Sequence, residues 1–137
     1  KIKHILALRE LHLVTAGLPE MIVVDTEDLK ESTFIILKYL HNNYHRRISL
    51  KELAKESKQS VSNLCRTFKE STGITVLDYL QNLRITMAKR LIEKTNYSIA
   101  TVAKLIGMED ESYFSRIFKR EVGTSPNRYR KSGHFFV

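Results

Sequence analysis

Two stretches of the chain set small polar residues beside basic ones at helical spacing. Ser62, Cys65, Arg66 and Lys69 stand at i, i+3, i+4 and i+7, with Asn63 next to them. Ser112, Ser115, Arg116 and Lys119 repeat that order, with Tyr113 next to them. On an α-helix each set occupies one face, because residues three, four and seven apart lie over one another. A narrow helix face of this composition suits the major groove of B-DNA. Arginine pairs with the O6 and N7 of guanine through two hydrogen bonds, and serine bonds to any base edge. Lysine meets phosphate, as do the amides at a helix N-terminus. Ser60, Thr75 and Ser125, each at the start of a helical pattern, are the expected phosphate-contacting hydroxyls.

Other chemistry finds weaker support in the residues. His41 and His45 have the i, i+4 spacing of paired zinc ligands, but Asn42 and Asn43 lie between them, with no glutamate and no third ligand in reach of the pattern. Cys65 beside Arg66 has the setting of an activated thiol, although a small contact to DNA is its simpler role. Tyr39, Tyr44, Tyr79, Tyr97 and Tyr129 read as core or phosphate-contacting residues. No nucleophile, base and oxyanion-stabilising constellation assembles, and no phosphate-cradling glycine loop is present, so neither an enzyme nor a cofactor is expected. A single cysteine closes no internal disulfide.

The helices that position the two basic faces are marked by their caps. A first helix is expected from Ser32 to about His45, burying Leu37, Leu40 and Tyr44, with Arg46 and Arg47 complementing its C-terminal dipole. Ser49 and Glu52 form a capping box that starts a short helix at Leu50. Ser60 caps a third helix, whose Val61, Leu64 and Phe68 face the core and which Gly73 ends. Thr75 and Asp78 open a long helix with an apolar stripe of Leu80, Leu83, Met87, Leu91 and Ile92, spanning roughly 28 Å at 1.5 Å per residue. Ser98 then caps a helix to Ile106, and Gly107 turns the chain. Asp110 caps the helix that buries Phe114, Ile117, Phe118 and Val122, and Gly123 stops it. Ser125 and Pro126 start a last short helix holding Tyr129.

The second half of this series repeats the first. Ala54-Lys55 matches Ala103-Lys104, and Arg66, Phe68 and Lys69 match Arg116, Phe118 and Lys119. Gly73 and Tyr79 match Gly123 and Tyr129, with one extra residue in the second turn. A helix, a turn and a second helix are thus used twice. Successive major grooves on one face of a duplex lie about 34 to 36 Å apart, so a rigid spacer of the expected length suits two reading helices on one monomer.

Charge agrees with this division. Residues 1–31 hold four basic and six acidic residues, net −2, and residues 32–137 hold nineteen and nine, net +10. A basic domain of this size points to a polyanion, with nucleic acid ahead of a membrane surface because no lipidation motif is present. The chain of 137 residues has 42% hydrophobic residues, 5 Gly and 2 Pro, a composition of folded, helix-rich protein. It shows no apolar run long enough to span a membrane and begins at Lys1, as expected for a cytoplasmic piece of a longer protein. Residues 1–17 are expected to form an extra amphipathic helix and 18–31 a linker.

The motif-bearing stretches are Ile48-Ser-Leu-Lys-Glu-Leu-Ala54, Leu64-Cys-Arg-Thr-Phe-Lys-Glu-Ser-Thr-Gly73, Ser98-Ile-Ala-Thr-Val-Ala103, and Gly107 through Tyr129 with its Gly-x-Ser-Pro-x-x-Tyr ending. Together they make residues 32–132 resemble the DNA-binding domain of AraC/XylS-type bacterial transcription regulators. The resemblance implies an all-α domain of about seven helices. Its first helix-turn-helix unit would occupy 32–73, a linker helix 74–95 and a second unit 96–132, followed by a tail at 133–137. It implies sequence-specific binding to double-stranded promoter DNA and contact with RNA polymerase, and it leaves room for dimerisation through an N-terminal domain outside this sequence. The family's base-reading places fall on Ser62, Cys65 and Arg66, and on Ser112, Tyr113, Ser115 and Arg116. A non-specific architectural DNA binder and a protein-interaction module are the competing functions. The chain departs from the family where Lys58 replaces a turn glycine and where Ser57 or Gln59 replaces an apolar residue. It departs again at Glu111, an acid at the mouth of the second reading helix.

Overall fold

A computed structural model describes residues 30–133. The helix and most of the linker expected within residues 1–31, and the end of the tail, lie outside the described residues. Those described form seven helices and no strand. They are α1 (Glu31–Asn43), α2 (Leu50–Glu56), α3 (Val61–Thr72), α4 (Val76–Lys94), α5 (Ile99–Leu105), α6 (Glu111–Val122) and α7 (Pro126–Ser132). The all-α class and the order of elements are those the sequence dictates.

The caps explain most of the boundaries. The hydroxyls of Ser49, Ser60, Ser98 and Ser125 and the carboxylate of Asp110 each accept the amide three residues on. Each such cap stabilises its helix by about 1 kcal/mol. Gly73 and Gly123 end α3 and α6 at φ of 86° and 97°. Those angles lie outside the region open to residues with a Cβ.

α1 differs from its expectation. It is entered from Lys30, whose extended backbone provides the N-cap without a side-chain hydrogen bond, so Ser32 lies inside the first turn. Glu31 supplies the negative charge that suits this end of the helix dipole. The helix stops at Asn43, where the Arg46 amide bonds back to the Asn43 carbonyl, and Tyr44 is half-buried.

The capping box at Ser49 also changes its second half. Ser49 Oγ accepts from the Glu52 amide at 3.1 Å, but the Glu52 carboxylate is engaged mainly by the Arg46 guanidinium and the Tyr39 hydroxyl. Those two hydrogen bonds hold Glu52 down at about pH 2, below its ordinary 4.5, with a smaller contribution from the Ser49 amide. Tyr39, Arg46 and Glu52 thus tie α1 to α2.

The chain divides into two compact units whose boundary falls inside α4, between Gln81 and Asn82. In the first unit α1 packs on α2 and α3, and α2 packs on α3, burying Leu37, Leu40, Leu53, Leu64, Phe68 and Tyr79. In the second, α5 packs on α6 and α6 on α7, burying Val102, Ile106, Phe114, Ile117 and Phe118. The single apolar stripe expected on α4 is therefore incomplete. Leu80, Leu83 and Ile92 are buried, Met87 and Leu91 only half-buried, and Tyr79, Ile85 and Ala88 join the core. A helix divided between two cores needs apolar residues on more than one stripe.

Each unit is closed by its tyrosine. Tyr79 is 1% exposed, packs edge-on against Phe68 and bonds through its hydroxyl to His41 Nε2 at 2.7 Å. Tyr129 packs edge-on against Phe118 and donates its hydroxyl proton to Glu93. Burial pushes the Tyr79 hydroxyl well above the usual tyrosine pKa, and burial followed by the Glu93 carboxylate does the same for Tyr129.

The turn between α2 and α3 matches the one between α5 and α6. The Gln59 amide bonds to the Ala54 carbonyl and the Lys58 amide to the Lys55 carbonyl. In the second unit Met108 bonds to Ala103 and Gly107 to Lys104. This is the Schellman pairing, which needs a left-handed residue at its centre. Gly107 adopts φ of 88° and Lys58 adopts 56°. The latter value lies in the small left-handed well that L-residues enter at a modest cost, so the lysine keeps the turn without a glycine.

Candidate nucleic-acid interface

The two basic helices show the same alternation of buried and exposed positions. Leu64, Thr67 and Phe68 of α3 are buried, as are Phe114, Ile117 and Phe118 of α6. Val61 and Val122, expected inside, are half-buried at the helix ends. Ser62, Arg66 and Lys69 are exposed on α3, with Asn63 and Cys65 half-buried at the edge of the face. Ser112, Tyr113, Arg116 and Lys119 are exposed on α6, with Ser115 half-buried. The ten side chains expected on the two DNA-facing helices therefore all lie at the surface of their own unit.

The arginines are held differently. Arg66, with 61% of its side chain exposed, donates from Nη2 to Asn63 Oδ1, and its Nη1 lies 3.7 Å from Glu70 Oε1. The Asn63 amide in turn donates to Gln59 Oε1 at 2.6 Å. Arg116 instead lies over the Tyr113 ring, 5.7 Å from its centroid, and no carboxylate among the described residues pairs with it. Cation–π contact at an exposed site contributes about 0.5 to 1 kcal/mol. Gln59 and Glu70 were not singled out as site residues by sequence reasoning. The signal was their spacing, since Gln59 to Asn63 and Arg66 to Glu70 are both i, i+4 pairs.

Ser60, Thr75 and Ser125 each accept a cap amide, from Asn63 at 3.1 Å, Asp78 at 3.1 Å and Arg128 at 3.2 Å. A hydroxyl that accepts a cap bond keeps its own proton to donate, so capping leaves all three able to meet an anion. Thr75 lines a groove of about 780 Å³ together with Cys65, Arg66 and Lys69.

The histidine pair is broken up by the fold. His41 is buried and bonded to Tyr79, whereas His45 is exposed and packs edge-on to Tyr44. Among the described residues no group of three or more His, Cys, Asp and Glu is arranged to hold a metal ion. Nor is any helix among them long and apolar enough to cross a membrane.

The sequence model of a family described as "Helix-turn-helix domain" matches residues 53–132. The uncharacterised HTH-type transcriptional regulator YdiP of Escherichia coli K12 is 38% identical over 96 residues, which are 70% of this chain and 32% of that protein. The bifunctional transcriptional activator/DNA repair enzyme AdaA of Bacillus subtilis is 33% identical over 97 residues, 71% of this chain and 46% of AdaA. Among solved structures, the DNA-binding domain of the global transcriptional factor AdpA, crystallised with a target DNA, superimposes with a TM-score of 0.72. The identity there is 26%, covering 75% of this chain and 93% of that one. The fold and the paired basic helices define a double helix-turn-helix regulator domain. The chain belongs to the AraC/XylS family of transcription regulators and carries its DNA-binding domain. It spans less than half the length of these two curated relatives.

Proposed function

We propose that residues 32–132 bind double-stranded promoter DNA sequence-specifically by setting α3 and α6 into successive major-groove segments. The observation that carries this reading is the repeated one. Two helices with the same pattern of burial expose serine, arginine and lysine at the same register. Arg66 and Arg116 are the principal base readers, with Ser62, Asn63, Cys65, Ser112, Tyr113 and Ser115 beside them. Lys69 and Lys119, with the hydroxyls of Ser60, Thr75 and Ser125, meet phosphate. α4, with 19 residues and a length of about 28 Å, supports one monomer reaching two grooves, and any shortfall is met by bending the duplex at about 1 to 6 kcal/mol. Promoter DNA as the target supports action in the bacterial cytoplasm. Contact with RNA polymerase and dimerisation through a domain outside this sequence fit the regulator role.

Selection of bound sites from a random duplex pool tests the proposal. Arg66→Ala and Arg116→Ala should each relax preference at a different base pair and cost about 1 to 3 kcal/mol. Equal binding of selected and random duplex would replace this reading with non-specific architectural binding. Absence of DNA binding would leave a protein-interaction module.

A further inference from the structure

We infer that Gln59, in the turn before α3, is a positioning residue for base recognition, holding the Arg66 guanidinium in a fixed orientation through Asn63. This rests on the proposed role of Arg66 as a base reader.

A continuous series of hydrogen bonds runs from the interior of the first unit to that guanidinium. Ser57 Oγ, in a buried residue, donates to the Leu53 carbonyl at 2.9 Å. Gln59 Nε2 donates to Ser57 Oγ at 2.9 Å, and Asn63 Nδ2 donates to Gln59 Oε1 at 2.6 Å. Asn63 Oδ1 then accepts from Arg66 Nη2. Every link runs in one sense, which fixes the orientation of both amides. Turning either one over sets donor against donor or acceptor against acceptor. The series starts at a helix carbonyl and a buried hydroxyl, so its inner end does not move with the surface. Arg66 is the outermost member, and Glu70 approaches its other terminal nitrogen.

The second unit shows that the turn does not require this chemistry. Ile106 and Met108 take the places of Ser57 and Gln59 and are both buried, with the same backbone pairing around Gly107. Tyr113 takes the place of Asn63, and Arg116 lies over its ring. Polar residues at 57 and 59 therefore add nothing the turn needs, whereas they supply Asn63 with a directed partner. A side chain ordered before binding loses less freedom on the DNA, a saving that corresponds to about two- to tenfold in affinity for the base it fits.

The test uses the full chain and base-preference profiles from site selection for wild type, Arg66→Ala, Arg116→Ala and Gln59→Met. A Ser57→Ile/Gln59→Met double variant carries the turn residues of the second unit, and thermal melting checks that each variant folds. Both Gln59 variants should lose about two- to tenfold of the preference at the base pair that Arg66→Ala relaxes, and none at the pair that Arg116→Ala relaxes. If Arg66→Ala relaxes its pair while both Gln59 variants keep the wild-type profile, the positioning role is wrong and the base-reading role stands. A uniform fall in affinity with the profile unchanged also overturns it, because a merely structural turn residue acts that way. If Arg66→Ala changes no position, the proposed base-reading role of Arg66 fails, and this inference with it.

Discussion

Lys58 shows what one residue contributes to the first unit. Its φ of 56° keeps the Schellman turn that Gly107 forms in the second unit at 88°. A left-handed L-residue costs roughly 1 to 2 kcal/mol, partly offset because glycine loses more freedom on folding. Lys58→Gly should therefore stabilise the protein by about 0.5 to 1 kcal/mol, raising the urea midpoint with no change in slope. A lowered midpoint would mean that the lysine side chain makes an interaction outweighing its backbone cost. The resemblance to the family identified this position, because a turn glycine commonly stands there; the matching residue of the repeat is Gly107. It did not reveal that the hydrogen bonds of the two turns agree bond for bond.

At the scale of the element, the connection between α1 and α2 depends on Glu52. Its carboxylate joins the Arg46 guanidinium and the Tyr39 hydroxyl, and its pKa falls from 4.5 to about 2. A group with a depressed folded pKa stabilises the fold above its unfolded value, and that stability is lost as pH falls towards the folded value. Wild type should exceed Glu52→Gln in thermal stability above pH 4.5, and the gap should close between pH 4.5 and about 2. A gap independent of pH would assign the difference to packing. Sequence reasoning gave Glu52 to the capping box, which is a local contact three residues long. That contact is kept, but the stronger partners lie 13 residues away at Tyr39 and six away at Arg46, pairings that only helix packing creates. The misplaced start of α1 has a related cause. Ser32 has the side chain of a cap, but Lys30 has the extended backbone that an N-cap requires.

For the whole molecule, the net +10 of residues 32–137 dominates encounter with a polyanion. DNA affinity should fall linearly in log–log terms with salt, by about 0.9 per phosphate neutralised. Lys69→Ala and Lys119→Ala should each reduce that slope by about one and weaken selected and random duplex alike, as read by fluorescence anisotropy across a salt series. A lysine variant that changes the selected sequence instead would move that residue from phosphate contact to base reading. The two units need not contribute equally. Arg66 lies near Glu70, whereas no carboxylate among the described residues pairs with Arg116.

Apart from the start of α1, the sequence by itself determined the described helices and their caps, the twofold repeat and the two basic faces. These depend on interactions within a few residues or on a periodicity that a helix turns directly into a surface. Phe68 and Phe118 lie inside and Arg66 and Arg116 outside because their spacing allows no other arrangement on an amphipathic helix. Tertiary structure alone decided which polar groups meet across elements. It took His41 away from His45 and gave it to Tyr79, drew Glu52 to Tyr39, and divided the long helix between two cores. Long-range hydrogen bonds depend on distances that packing sets and that no local pattern encodes.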